Sequence, residues 1–251
     1  MDVSASSWNI PPALIVLEND EVHVWRAMLN LSRERMQAVE QTLAGDEHLR
    51  ARKFRFRKDR DHFVAARGQL RAILGRYLNK DARALRFSYN QYGKPAIAGD
   101  SGSSPLFFNT THSHEMALIA VTRAGEIGVD LEFIKSNVES LQIAQRFFSA
   151  NEVTMLSAVP EQLQHEAFYN CWTRKEAYIK ARGMGLSLDL HLFDVSLTPG
   201  MPPAILDSRE ADHDITRWSL YDLPAGAGYK AALAVEGRPR MLALWQWSAV
   251  A

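Results

Sequence analysis

The most constraining feature of this chain is a short run, Ile127–Phe133, in which apolar residues alternate with small or acidic ones. Successive side chains of a β-strand point to opposite faces, so this alternation predicts a strand with one buried face. The apolar face holds Ile127, Val129, Leu131 and Phe133. Asp130 and Glu132 project together from the other face, where two carboxylates repel one another unless a cation lies between them.

Gly128 lies on the same face as the two acids, two residues before Asp130. A glycine inside a strand often marks close approach by a ligand or by another backbone. The alternative is an ordinary antiparallel strand whose solvated face carries acids, and the run alone does not separate the two interpretations.

A second informative segment, residues 172–180, has the composition of a helix. Trp172, Glu176 and Lys180 are spaced at i, i+4 and i+8 and therefore share one stripe. Glu176 could complete a cage of three carboxylates with Asp130 and Glu132, which suits Mg²⁺ with several waters retained. The plainer interpretation is an i, i+4 ion pair between Glu176 and Lys180 on a solvated surface.

Hydrophobic periodicity and turn residues predict an α+β chain. We expect strands at 13–17, 22–28, 106–110, 116–122, 127–134, 218–221, 230–235 and 242–247. We expect helices at 32–42, 47–78, 138–148 and 161–182, the last with Gly183 as its C-cap. Residues 123–126 are predicted to form a hairpin turn. Strands and helices thus recur in two halves, which predicts an N-terminal subdomain at 1–123 and a C-terminal subdomain at 124–251.

Charge and cysteine content limit the possible partners and compartments. The 251 residues contain 29 Lys and Arg against 29 Asp and Glu, so a nucleic-acid interpretation must rest on local clusters. Cys171 is the single cysteine, which excludes an internal disulfide and fits a reducing compartment. No stretch has the apolar length of a membrane span or the form of a signal peptide. We expect a soluble, cytoplasmic protein.

Two polar segments carry further candidate residues. The basic segment 50–60 is either a solvated helix face or a patch that recognises phosphates or acids, with Phe54 and Phe56 expected to anchor it in the core. His112 and His114 are spaced like metal ligands, but a zinc site needs further Cys or His. A serine hydrolase would require a G-x-S-x-G elbow, which is absent.

The order of the motifs is more specific than any one of them. In sequence they are a basic segment from Arg50, Gly93-Lys94-Pro95, Asn109 with His112-Ser113, Gly128-Val129-Asp130-Leu131-Glu132, Trp172 with Lys175-Glu176-Ala177 and Lys180, and Gly183-Met184-Gly185-Leu186. From about 50 to 188 the chain resembles the phosphopantetheinyl transferase superfamily. It is most similar to the long, pseudo-dimeric, single-chain, surfactin-synthetase-activating type, which serves peptide, polyketide and fatty-acid synthases. Trp172 with Lys175-Glu176-Ala177 resembles one subgroup of that type.

The resemblance implies a fold, a reaction and a set of site residues. The fold would be two similar α+β subdomains related by pseudo-two-fold symmetry, with the active site in the cleft between them, in a monomer. Asp130, Glu132 and Glu176 would hold Mg²⁺, and Lys180 would contact the phosphates near the reacting bond. The residues implied to hold coenzyme A phosphates are Arg50, Lys94 and His112, with Ser113 beside them and Arg60 and Arg67 as further candidates.

The implied reaction transfers the 4'-phosphopantetheine arm of coenzyme A to a serine hydroxyl of an apo acyl or peptidyl carrier protein, and adenosine 3',5'-bisphosphate leaves. Glu176 is the candidate base for the serine proton, directly or through a water. Two other classes remain open. One is a Mg²⁺-dependent phosphodiesterase or nuclease built on the same carboxylates; the other is a non-enzymatic protein that binds nucleic acid through the basic segment, which the balanced net charge disfavours.

Overall fold

Among its described residues, the first half of the fold contains three α-helices, one short 3-10 helix and two groups of strands. The computed structural model describes residues 7–99, 105–210 and 214–248. In chain order the first half contains β1 (Glu21–Met28), α1 (Arg33–Glu40), α2 (Gly45–Ala51), α3 (Arg57–Leu78), β2 (Phe87–Tyr89), β3 (Pro95–Ile97), β4 (Phe107–Ser113) and β5 (Met116–Thr122).

The second half repeats this order of elements. It contains β6 (Ile127–Phe133), α4 (Ser140–Phe147), α5 (Ala150–Ala158), α6 (Glu161–Arg182), β7 (Phe193–Val195), β8 (Ile205–Ser208), β9 (Trp218–Asp222) and β10 (Tyr229–Glu236). Each half runs through a strand, two short helices, a 22-residue helix, a two-stranded sheet and an antiparallel strand pair. The strand orders β1-β5-β4 and β6-β10-β9 are equivalent. The predicted α+β fold of two similar halves is confirmed.

One further strand, β11 (Met241–Gln246), follows the repeated elements and joins the first sheet. It pairs in parallel with β1, where Val24 lies opposite Leu244. The first sheet therefore has the order β11-β1-β5-β4, and its outermost strand comes from the far end of the chain.

The layers are helix, sheet, sheet and helix. Three clusters of buried side chains fill the three spaces between them. Below α3 they include Trp25, Leu70, Ile73, Ile119 and Val121; between the sheets Val24, Leu118, Val129, Leu233 and Leu244; and below α6 Ala177, Ala181, Ala232 and Ala234. No helix in the described parts of the chain is both long and apolar enough to cross a bilayer.

Strands β4 and β6 lie side by side and join the two halves. The side-chain oxygen of Asn109 accepts the N–H of Val129 (3.0 Å), and the hydroxyl of Ser113 accepts the N–H of Phe133 (3.0 Å). Both pairs are 20 positions apart, so the two strands run in the same direction. We call this contact the β4–β6 seam.

Two sequence predictions about strand pairing are wrong. Residues 13–17 form no strand, and the neighbouring strand β1 already has β5 on one edge and β11 on the other. Ile15 and Leu17 are nevertheless buried in the core. Residues 123–126 do not form a hairpin, because β5 pairs with β1 and β4 whereas β6 pairs with β10.

The helical region predicted at 47–78 is broken near its start. Helix α2 ends at Ala51, and α3 begins at Arg57 after extended backbone at Phe56 (φ −103°, ψ 138°). The break leaves Phe54 and Phe56 38% and 61% exposed, so the prediction that they anchor the segment in the core is wrong. The Phe54 ring contacts only the partly buried ring of Phe63 among the aromatic side chains described (5.4 Å between centroids).

Candidate active site

The site is built where helix α6 crosses the outer face of strand β6. Gly128 makes the close approach possible: a Cβ at this position would overlap the carbonyl oxygen of Ala177 and the backbone nitrogen of Ala181. The glycine was expected to mark close approach by a ligand or a backbone, and here the helix backbone lies against it. Residues further along the same face of β6 therefore project toward α6.

Asp130 is the most deeply buried acid of the site, with 3% of its surface exposed. Its Oδ1 accepts a hydrogen bond from the ammonium of Lys180 (2.5 Å), and that ammonium also donates to the hydroxyl of Thr111 (3.3 Å). Its Oδ2 is buried with no hydrogen-bond partner among the described residues. A buried carboxylate oxygen without a donor is costly, so this atom is suited to a further cationic partner.

Glu132 and Glu176 are half-buried and lie close enough to Asp130 to interact electrostatically with it. Burial, followed by the charge of Asp130, raises the pKa of Glu132, although hydrogen bonds from Ser113 and Trp172 oppose the shift. Burial and the charge of Asp130 likewise raise the pKa of Glu176, and Lys180 opposes this. The three carboxylates therefore form one cluster, in which the charge of Asp130 opposes the ionisation of both glutamates.

Strand β4 belongs to the first half of the chain, and its polar face contacts the acidic cluster of the second half. Asn109 holds the backbone of β6, Thr111 receives the Lys180 ammonium, and Ser113 donates to Oε2 of Glu132 (3.3 Å). Ser113 is predicted to lie beside coenzyme A phosphates, and in the structure its hydroxyl bonds Glu132 and the N–H of Phe133. Sequence reasoning missed Thr111 as a site residue and gave Asn109 no role beyond its place in the motif series. Their period-two spacing with Ser113 was the available signal, because it places all three on one face of a strand.

His112 points to the opposite face of β4, toward helix α3. With Arg50 it lines a cavity of about 230 Å³, which Arg67 and Tyr89 also border. Burial lowers the pKa of His112. The nearby charges of His62, Lys180 and Arg50 lower it further. Arg50 and His112, predicted together from distant segments, are thus brought to one cavity.

The Lys94 side chain does not line that cavity, although its neighbours Gly93 and Pro95 do. Its ammonium donates to Oε2 of Glu126 (2.5 Å) and to the carbonyl oxygen of Ala181 (2.8 Å). Burial lowers the pKa of Lys94, and the hydrogen bond to Glu126 opposes this. The cation predicted to bind phosphate is therefore already paired at the end of α6.

Two arginines suggested as further phosphate contacts have protein partners as well. Arg67 pairs with the buried Glu47, and Arg60 pairs with Glu40 at 2.8 Å. Arg71 also bonds Glu47, at 2.7 Å, so this acid binds α2 to α3. These contacts give the arginines a structural role, and Arg67 alone of the three also borders the 230 Å³ cavity.

Lys175 and Arg174 of the second motif are structural, whereas Trp172 also hydrogen-bonds Glu132 of the acidic cluster. Lys175 is buried and pairs with the buried Glu152 at 2.8 Å. Arg174 is buried and forms two hydrogen bonds to the carboxylate of Asp222. The Trp172 ring packs against Phe168, with 5.9 Å between centroids. Buried pairs of this kind fix the rotation of α6, which directs Glu176 and Lys180 of the same helix toward β6.

The donor set suits a hard divalent cation. Carboxylate oxygens are the ligands that Mg²⁺ prefers, and the unpartnered Oδ2 of Asp130 lies within the acidic cluster. Among the described residues no group of three or more His, Cys, Asp or Glu side chains is already arranged as metal ligands. The Lys180 ammonium pairs with the other oxygen of Asp130, Oδ1.

Comparison with known proteins assigns both halves of the chain. The profile of the 4'-phosphopantetheinyl transferase superfamily matches residues 126–234, and the profile described as 4'-phosphopantetheinyl transferase, N-terminal, matches residues 27–124. The chain is 37% identical over 231 residues to the 4'-phosphopantetheinyl transferase HetI of Nostoc sp. (strain PCC 7120), covering 92% of this chain and 94% of HetI. It is 33% identical over 167 residues to the 4'-phosphopantetheinyl transferase Sfp of Bacillus subtilis (strain 168), covering 66% of this chain and 72% of Sfp.

A putative 4'-phosphopantetheinyl transferase of Synechocystis sp., slr0495, is 36% identical over 145 residues, covering 58% of each chain. The HetI match runs through both halves and includes the strand and the helix that carry the acidic cluster. The chain therefore belongs to the 4'-phosphopantetheinyl transferase superfamily and is a transferase of that class.

Proposed function

We propose that this enzyme transfers the 4'-phosphopantetheine arm of coenzyme A to a serine hydroxyl of an apo acyl or peptidyl carrier protein, with Mg²⁺ held by Asp130, Glu132 and Glu176. The observation that carries the proposal is the acidic cluster, in which strand β6 and helix α6 contribute carboxylates to one half-buried site. Mg²⁺ bound there would offset the negative charge of the coenzyme A pyrophosphate.

Lys180 and Glu176 have the chemistry that the transfer needs. Lys180 can exchange its bond to Asp130 for a phosphate oxygen, because its ammonium is partly exposed and sits on a flexible stem. A raised pKa makes the Glu176 carboxylate a stronger base. We propose that Glu176 accepts the proton of the carrier serine.

The phosphates of coenzyme A need cations outside the acidic cluster. Arg50 offers one in the 230 Å³ cavity beside His112, and both side chains can donate hydrogen bonds to phosphate oxygens. Lys94 and Ser113 were implied to contact the same substrate. Their present partners, Glu126 and Glu132, would have to be released for them to do so.

The basic segment fits the other substrate. A second cavity of about 490 Å³ extends from His112 and Ser113 to Phe54 and Lys58, so the segment borders the approach to the site. Phe56 is exposed between Arg55 and Arg57. Positive charge beside an exposed aromatic ring suits an acidic protein surface, and we propose that the carrier protein docks here.

Incubation with an apo carrier protein, Mg²⁺ and coenzyme A tests the proposal directly. A carrier whose mass rises by one phosphopantetheine arm supports it, whereas hydrolysis of coenzyme A with no carrier product supports the phosphodiesterase alternative. The cytoplasmic location and the subgroup remain predictions. So does the monomer, which sedimentation tests: a trimer would contradict it.

A further inference from the structure

The turn that carries Lys94 contacts the catalytic helix at its C-terminal end. The turn closes on itself, because Oδ1 of Asn90 accepts the N–H groups of Tyr92 and Lys94 at 2.9 Å each. Its two outward side chains then reach the other half of the protein. Nδ2 of Asn90 donates to the carbonyl oxygen of Gly183 (2.7 Å), and Nζ of Lys94 donates to that of Ala181 (2.8 Å).

These two carbonyls belong to the last turn of α6 and to its cap. The final carbonyl groups of a helix have no partner within the helix, and a cation placed near them also interacts favourably with the helix dipole. Gly183 adopts φ +64°, and a Cβ there would lie 3.0 Å from Cδ of Lys94 and 3.2 Å from Nδ2 of Asn90. The helix end and the turn are therefore packed as well as hydrogen-bonded.

The same lysine also holds strand β6. Its ammonium pairs with Glu126 at 2.5 Å, one residue before the strand begins. Lys94 thus connects the start of the strand that carries Asp130 to the end of the helix that carries Lys180.

We infer that Asn90 and Lys94 form a clamp that positions the last turn of α6, and with it Lys180 and Glu176, against strand β6. They are positioning residues, because they touch the elements that hold the site and not its reacting groups. The expected change in kcat rests on the proposed function. The positioning of α6 by Asn90 and Lys94 does not depend on it. Lys94 would then position α6, which differs from the predicted role of binding a coenzyme A phosphate.

Two variants distinguish the positioning role from the phosphate-binding role. Asn90→Ala removes a neutral side chain, and Lys94→Met removes a charge while keeping the apolar stem. If both act through the clamp, each should lower kcat about fivefold to tenfold and leave KM for coenzyme A within about twofold, because a misplaced catalytic helix affects the chemical step. A phosphate contact instead predicts that Lys94→Met raises KM for coenzyme A while Asn90→Ala has no effect, and this result would overturn the inference.

Amide hydrogen exchange provides a readout that does not depend on activity. Exchange at residues 179–183 should become faster in both variants, while exchange at 163–168, nearer the other end of α6, should be unchanged. Asn151→Ala is a matched control, since its side-chain amide donates to Asp194 at 3.2 Å away from the end of α6, and it should change neither kcat nor exchange at 179–183. Unchanged exchange at 179–183 in both Asn90→Ala and Lys94→Met would overturn the clamp. If the wild type transfers no arm, the proposed function fails, and exchange alone decides the clamp.

Discussion

The side-chain oxygen of Asn109 accepts the backbone N–H of Val129 at 3.0 Å, so a residue of the first half holds the strand that carries the acids of the second. Asn109 is buried, and neither atom has solvent available as a substitute partner. The position of Asp130, the next residue in the chain, is therefore set partly from across the β4–β6 seam.

Asn109→Ala should destabilise the protein by about 1–3 kcal/mol, because it leaves a buried N–H without an acceptor. Denaturant unfolding measures this loss. Asn9→Ala is a suitable control, since its exposed side chain donates to the carbonyl oxygen of Ser7, and it should cost far less. Equal stability of the two variants would show that the seam does not depend on this bond.

Asp130→Asn and Glu176→Gln should abolish phosphopantetheine transfer and leave the fold intact, because each removes a negative charge with little change in volume. Glu132→Gln should be milder if water can replace it as a ligand. Mg²⁺ should raise the unfolding temperature of the wild type, since a ligand that binds only the native state stabilises it, and should fail to do so in Asp130→Asn.

The control for these acids is Asp20→Asn, whose carboxylate is paired with Arg240 at the edge of the molecule. It should respond to Mg²⁺ like the wild type. Near-normal transfer by Glu176→Gln would exclude this residue as the base and weaken its assignment as a metal ligand.

Gly128→Ala should reduce both stability and activity. The added methyl group would overlap the backbone of α6 at Ala177 and Ala181, and a helix backbone cannot move aside without carrying Glu176 with it. Overpacking of this kind costs about 1–3 kcal/mol, occasionally more. Gly45→Ala provides the comparison, because no atom lies within 4 Å of its Cβ position and alanine favours a helix. If Gly128→Ala kept full activity, close contact of strand and helix would not be required.

His112→Ala should weaken coenzyme A binding if the imidazole grips the ribose phosphate. Loss of a charge-assisted hydrogen bond costs about 1.5–3 kcal/mol, or roughly tenfold to a hundredfold in kcat/KM. The loss should appear in KM, because this phosphate is remote from the bond that breaks. The wild type should prefer coenzyme A to dephospho-coenzyme A, and His112→Ala should lose that preference. An unchanged preference ratio would show that His112 is a structural histidine.

His23 makes stability depend on pH. The side chain is 2% exposed, and burial lowers its pKa to about 4 from the ordinary 6.5. Between these values the unfolded chain binds more protons than the folded one, so the stability is full above pH 6.5 and falls as the pH drops toward 4. The loss amounts to about 3 kcal/mol.

His23→Gln removes this titration and should flatten the fall in unfolding free energy between pH 6.5 and 4. Some slope should persist, because the pKa values of His62 and His112 are lowered by burial too. An identical slope in wild type and variant would mean that His23 is not titrated on unfolding in this range.

The alternation of apolar and acidic residues in β6 was sufficient to predict the two faces of that strand. Ile127, Val129 and Leu131 lie in the core between the sheets, and Asp130 faces α6, as the period of two requires. The position of Gly183 as the C-cap of α6 was equally predictable, because the αL conformation at the end of a helix favours glycine.

Other features depend on contacts between distant segments. The break before Arg57 follows no glycine or proline, so the local sequence gives little warning that Phe54 and Phe56 turn outward. The failed strand at 13–17 and the failed hairpin at 123–126 have one cause, which is that pairing partners come from elsewhere in the chain. The engagement of Lys94 by Glu126 is of the same kind, since no spacing rule connects residues 32 positions apart.

Strand β11 gives the molecule a particular order of assembly. Arg26 on β1 and Gln246 on β11 are hydrogen-bonded across 220 positions of sequence. During synthesis on the ribosome, β1, β4 and β5 of the first sheet would therefore emerge long before β11, which pairs with the open edge of β1. Until β11 is made the nascent chain would carry an unpaired strand edge on β1, which is the kind of surface that chaperones cover.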